Sequence, residues 1–261
     1  HGFNSFGEGS IKDSVMIAPL NWLKSETLQT LDIDIKFKDF QKLKQKRKDA
    51  LGQGILIQGA DDFVPGEIRI GKENIKVKLR LKGDWIDHLK GDKWSFRIHV
   101  KGKNHIFGLR RFSIQHPVTR GYQGEKLFYD TLTQFNILSP RYSFVQVRIN
   151  GENIGVMAME EHFSKELLEA NQRKESVIIK YDDTNVWASR NTRLSVEQSL
   201  PLDNYHNVPV DAFGTSKISE SARLSRDYAV AASLLIGFSQ NKIAASEVFD
   251  VKLLAGFLAV T

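Results

Sequence analysis

The stretch FVQVRINGENIGVMAMEEHF, Phe144 to Phe163, decides how this chain is read. Phe144 to Ile149 and Ile154 to Met159 are strand-like runs, and Asn150-Gly151 between them tolerates positive φ at both positions. Two such runs around such a pair predict a tight β-hairpin. The hairpin ends on Glu160 and Glu161. Successive strand residues face opposite ways, so only one of the two carboxylates can face a given ligand.

The same period of two recurs on both sides. EIRI (Glu67 to Ile70) and IKVKLRL (Ile75 to Leu81) read as strands joined by the polar turn GKEN. Ile75, Val77, Leu79 and Leu81 face a core, while Lys76, Lys78 and Arg80 face out. Leu31 to Phe37, Trp94 to Val100, Phe112 to Gln115 and Val177 to Tyr181 add further strands. Helices are predicted over Phe40 to Leu51, ended by Gly52, and over Gln123 to Phe135, with Leu127, Phe128, Leu132 and Phe135 on its apolar side. Ser164 caps a short helix to Ala170, and Arg223 to Gln240 and Val248 onward are helical again. The expected organisation is a lead-in over 1–28 that docks by Trp22, a β-rich unit over 29–181, an irregular excursion or lid over 182–219, and the start of a helical unit over 220–261.

A chain of 261 residues can bury a substantial core, and 41% hydrophobic with 26% charged residues excludes wholesale disorder. No run approaches the roughly 18 apolar residues that span a bilayer. The net charge of +6 and pI near 9.3 favour anionic partners but are too mild to imply nucleic acid. Part of that charge lies in QKLKQKRK (41–48), read as a solvated helix face. With no cysteine there is neither a disulfide nor a thiolate metal site. The chain starts at His1 and stops within the apolar run LLAGFLAVT, so both ends read as cut, with any targeting segment or membrane anchor outside them.

Between Leu79 and Tyr181 a basic glycine loop, a helical Glu125 and an acidic strand end follow one another. A phosphate site uses such parts. Gly83 allows backbone approach to a phosphate and Lys82 supplies charge, although a glycine between charged residues also serves as a plain turn. Asp84, Asp87, His88 and Asp92 form a loose set whose spacing fits no calcium loop, so no metal ligand is assigned. Trp85, Trp94 and Trp187 do not fall into one stacking row, which disfavours nucleic-acid or sugar binding.

The segments KGD (82–84), SFRI (95–98), GLRRFSI (108–114), GEKLFYDTL (124–132), LSPRYSFVQVRINGENIGV (138–156), EEHF (160–163) and IIKYD (178–182), with FDVKLLAGFLAV (249–260), carry a resemblance in their order and spacing. They resemble the spore-coat protein H (CotH) kinase-like family. The resemblance implies an α+β, atypical protein-kinase-like fold: an antiparallel N-lobe sheet with one embedded helix, then the start of a helical C-lobe. It also implies binding of ATP and Mg2+ and phosphoryl transfer to Ser or Thr of a protein substrate. On that footing Glu125 orients a cation, Lys82, Gly83 and Asp84 cover phosphate, and Glu160, Glu161 and His162 line the nucleotide hinge. His99 stands where the family usually has Lys, Lys101 is the substitute, and Arg97 is expected on the opposite face. Lys180 contacts phosphate or peptide, and Arg110, Arg111, His116 and Arg120 line the cleft. The catalytic and magnesium-binding acids are expected beyond Thr261, so this stretch alone is expected not to transfer phosphate. The alternative is a catalytically silent scaffold whose partner is a coat or cell-envelope protein.

Overall fold

The computed structural model describes residues 28–182 and 209–261. Seven strands form its centre: β1 (Thr30–Asp34), β2 (Val64–Ile70), β3 (Glu73–Leu81), β4 (Phe96–Val100), β5 (Arg111–Gln115), β6 (Tyr142–Ile149) and β7 (Glu152–Glu161). They close into a barrel in the order β1-β2-β3-β4-β5-β7-β6, antiparallel throughout except where β1 runs parallel to β6. This corrects the open N-lobe sheet expected above. An alternating pattern tells which face a residue takes but not which strand lies beside it, and β1 returns to β6 over a long sequence separation.

The barrel interior is the main core. Leu31, Ile33, Ile68, Leu79, Phe96, Ile98, Phe112, Ile114 and Met157 are essentially solvent-free there. The alternation of β3 is as predicted, with Ile75, Val77, Leu79 and Leu81 buried. Asn150 (φ 51°) and Gly151 (φ 85°) make the tight turn of the β6–β7 hairpin, and both positive φ values belong to the turn that matches strand twist.

Helix α1 (Phe37–Gln53) buries Leu43 and Ala50 against the barrel and ends on Gly54 in the left-handed conformation, two residues past the predicted stop. Helix α2 (Gly124–Gln134) differs more from expectation. Only Leu132 is buried, while Leu127 and Phe135 are 61% and 54% exposed. The helix touches the barrel along one line, where Tyr129 meets Tyr142, and Phe128 packs edge-on to Phe257. Helix α3 (Lys165–Ala170) begins at Ser164, which makes no side-chain capping bond.

Strand β8 (Ile179–Tyr181) pairs antiparallel with β9 (Val210–Ala212), so the predicted strand finds its partner across the excursion. Helices α4 (Thr215–Ser219), α5 (Ala222–Ser239), α6 (Ala245–Val248) and α7 (Val251–Val260) follow. Ser221 caps α5 and Asp250 caps α7. Among the described residues no helix is long and apolar enough to cross a membrane. The predicted docking of Trp22, Trp187 and most of the irregular excursion fall outside the described residues.

Candidate functional site

One rung of the barrel's outer face gathers the chemistry. Arg80 lies opposite Arg97, Arg97 opposite Ser113, Ser113 opposite Glu160, and Glu160 opposite Tyr142. Partners across a sheet project to the same side, and so do residues two apart on one strand. Lys82 and Gln115 therefore join the rung from β3 and β5. Lys82 is only 8% exposed; its Nζ donates to Glu160 Oε2 at 2.5 Å and to Gln115 Oε1 at 2.7 Å. Gln115 Nε2 donates to the same carboxylate oxygen at 3.3 Å. Burial pushes the Glu160 carboxyl up, but Lys82, backed by Arg120 and Arg97, overrides this and holds it below the usual carboxylate range.

The cations exceed what Glu160 can balance. Arg97 is largely buried and its Nε has no hydrogen-bond partner. Its Nη1 stands 3.4 Å from His162 Nε2. Burial, then Arg97, presses the His162 pKa down to about 2, so the ring is neutral and Nε2 accepts. Arg80, directly across from Arg97, is pushed down to about 10 by burial and by that like charge. Asp62 and Asp84 draw Arg80 the other way, and Asp62 also binds Lys46 at 3.0 Å. Two arginines facing each other across a sheet destabilise it unless something anionic lies between them.

The family described as CotH kinase protein matches residues 79–259, which runs from the end of β3 through β9 and takes in the rung and the helices through most of α7. This chain belongs to the CotH kinase protein family. A search of curated proteins gives no match.

The other residues singled out in this CotH-family chain divide into those at the rung and those away from it. Glu125 lies in the first turn of α2 near the Tyr129 hydroxyl, whose pKa is raised by burial, then by Glu160 and by Glu125. The carboxylate that pairs with Lys82 is Glu160. Glu161 faces away from the rung. It is buried, and Arg141 grips both of its oxygens, Nε at 2.8 Å and Nη2 at 2.6 Å. His99 shares the outer face with Arg97, against the expectation that they part, because residues two apart lie on the same side. Burial, then Arg111 and Lys78, lowers its pKa to about 3, and its Nε2 has no partner. Lys101 is exposed past the end of β4 and does not reach the rung.

Gly83 has φ 104°, and a Cβ there would stand 2.5 Å from His88 Cδ2. Its glycine character therefore serves the close packing of the loop on His88, whose Nδ1 meets Ser95 Oγ at 3.0 Å. The Gly83 carbonyl and Asp84 Oδ1 both accept from Gln58 Nε2. Among the described residues no group of three or more His, Cys, Asp or Glu is placed to hold a metal ion, so Asp84, Asp87, His88 and Asp92 do not converge. Lys180 binds Asp211 at 3.4 Å and lies 5.7 Å from the centre of the Phe213 ring, which meets His162 edge-on. It reaches the margin of the cluster. Arg110 pairs with Glu166, and His116 Nδ1 accepts from Val118 within its own turn.

Sequence reasoning did not single out Arg80, Gln115 or Tyr142. A signal existed for Arg80 and Arg97. Leu79, Leu81 and Ile98 are core residues, so every position alternating with them, Arg80, Lys82, Arg97 and His99, had to share the other side.

Proposed function

We propose that the outer rung of the barrel binds the phosphates of ATP, and that this chain carries the nucleotide-holding part of a phosphotransferase acting on protein Ser or Thr hydroxyls. The observation that carries this is Arg97: a buried guanidinium with an unsatisfied Nε, directly opposite a second arginine. A phosphate oxygen would supply the missing acceptor and add to the countercharge that Glu160 and Asp84 already give Arg97. The family match supports a kinase-like activity at the level of the family.

The residues fit a phosphate group. Arg97 and Arg80 would hold its oxygens; burial lowers the Lys82 pKa, Glu160 opposes that, and Glu160 and Gln115 fix the direction of its ammonium group. Bound ATP supplies the transferable phosphoryl group, and the protein's share is position and charge. Tyr129 and Tyr142, both on the α2 side, close that flank of the rung with tilted rings 5.8 Å apart. Among the described residues no group of three or more His, Asp or Glu is placed to hold a metal ion. Of the two hinge glutamates, Glu160 stays in the proposal and Glu161, held by Arg141, leaves it.

The test is thermal unfolding with and without millimolar ATP and magnesium. Ligand at a hundred times its Kd stabilises by about 2.7 kcal/mol, which raises Tm by roughly 5 to 10 °C for a chain of this size. Arg97→Gln should abolish the rise. A wild-type chain whose Tm does not move would overturn the nucleotide reading and leave the silent scaffold, which the neutral His99 between Lys78 and Arg111 favours.

A further inference from the structure

The rung next to Arg80 and Arg97 repeats their arrangement. Lys78 lies opposite His99, and His99 opposite Arg111, so three basic residues on adjacent strands share the same outer face. We infer that Lys78, His99 and Arg111 form a second phosphate subsite, continuous with the first.

Physical bookkeeping of the charges supports this. Burial first, then Arg111 and Lys78, holds His99 neutral, the usual response of an enclosed histidine between cations. The Phe63 ring lies over the rung, 4.7 Å from the His99 ring, 4.7 Å from Lys78 Nζ and 5.3 Å from the Arg80 guanidinium. Such contacts hold the cations in place without cancelling their charge. The acidic groups near the strip are few and engaged: Glu166 acts on Arg111 but pairs with Arg110 at 3.5 Å, Asp62, which acts on Arg80, pairs with Lys46, and Asp84 and Glu160, which act on the first rung, bond Gln58 and Lys82. Neutral His99 keeps an unpartnered Nε2, a further group able to meet a phosphate oxygen or hydroxyl.

Geometry limits the occupant. The two rungs are two residues apart, roughly 7 Å along the strands, and the strip is three strands or about 10 Å wide. One orthophosphate cannot reach both rungs, whereas two phosphate groups can fill them. The strip is too short to follow a nucleic-acid backbone, and the aromatic face at hand, Phe63, is already covered by cations. The second group has two sources: the far end of a polyphosphate chain, or a phosphorylated side chain of a protein laid beside the first site. The inference rests on the first rung binding phosphate, so its test separates the two rungs.

Binding of orthophosphate, tripolyphosphate and a phosphoserine peptide is measured by calorimetry on the wild type, on Arg97→Gln and on Lys78→Gln/Arg111→Gln. Both altered side chains of the double variant lie on the sheet's outer face, and circular dichroism checks that it folds. The expected result is that the double variant binds orthophosphate as the wild type does. It should lose about tenfold or more in affinity for tripolyphosphate or for phosphopeptide, since a hydrogen bond to a charged group is worth that much. A loss for tripolyphosphate assigns the subsite to a polyphosphate chain, and a loss for the peptide alone assigns it to a protein phosphate. If Arg97→Gln abolishes binding while the double variant matches the wild type for all three ligands, the second subsite is overturned and the first stands. If no ligand binds the wild type, both fall.

Discussion

Buried histidine is the residue-scale signature of this chain. His88, His99 and His162 are each pushed below the ordinary imidazole value, to about 4, 3 and 2, in every case first by burial. The nearby cations Lys82, Arg97 and Arg111 deepen the shift at one or more of them. In the unfolded chain they titrate near 6.5. The unfolded state therefore binds more protons than the folded one over the whole range between 6.5 and those lowered values, and stability must fall as pH drops through it. The Glu160 carboxyl works in the same direction but later. Its pKa is also lowered, so its contribution is present above the usual carboxylate range and is lost only as pH falls through the folded value. Urea unfolding at pH 7 and pH 5 checks this. His162, whose pKa is lowered furthest, should account for about 2 kcal/mol of the loss, with less from His99. His162→Gln should flatten the pH dependence by that share. Equal slopes for variant and wild type would show that His162 is not held neutral, and with it that it does not accept from Arg97.

Loops and strands show which parts of the structure a sequence reveals. The loop after β3 turns on Gly83, at φ 104° with the His88 ring where a Cβ would go. Gly83→Ala should cost about 2 kcal/mol or more, from backbone strain and the clash together. Gly91→Ala, also at positive φ but with open space around it, should cost only the strain, about 1 kcal/mol. Denaturant midpoints of the two variants compare them directly, and equal losses would mean that the packing on His88 is slack. Such a glycine is legible in KGD as a turn, but the ring it packs against is not. The same holds more widely. Asn150-Gly151 and the alternation of β3 announced the hairpin and the buried face because both are local. The pairing of Lys82 with Glu160 joins residues 78 apart in the chain, and no local period encodes it. Helix α2 misled for a related reason: its apolar residues follow a helical period, yet the barrel offers it a narrow contact, and Leu127 and Phe135 stay in solvent. The outer face of β4 was readable and was misassigned, since Arg97 and His99 are two apart and must share a side.

The whole molecule depends on how β1 closes the barrel. β1 lies between β2 and β6, with Ile33 opposite Ile68 on one side and Ile149 on the other. On the outer face Asp32 binds Arg148 of β6, Nε at 2.5 Å, and approaches Arg69 of β2 at 3.6 Å, so one carboxylate spans all three strands. Beyond β1, the Ile35 amide donates to Asn150 Oδ1 at 2.7 Å and ties the strand's exit to the hairpin turn. Without β1 the barrel would have two open edges, on β2 and β6, each a row of unpaired amides. Closure also fixes the rung that carries Arg80, Arg97 and Glu160, because β6 contributes Tyr142 at one end while β2 follows directly from Phe63 over the other. Ile33 is 1% exposed and touches both seams from inside, so Ile33→Ala should cost 2–5 kcal/mol, as roughly expected for a fully buried isoleucine. Ile33→Val should cost about 1 kcal/mol. The decisive reading is hydrogen exchange. In a closed barrel Ile33→Ala speeds exchange of β2 and β6 amides together, because both lose the same partner. Faster exchange in β2 alone would mean that the β1–β6 seam does not form in solution. The chain would then be an open sheet, as the N-lobe implied by the family resemblance is, with Tyr142 no longer fixed at the end of the rung.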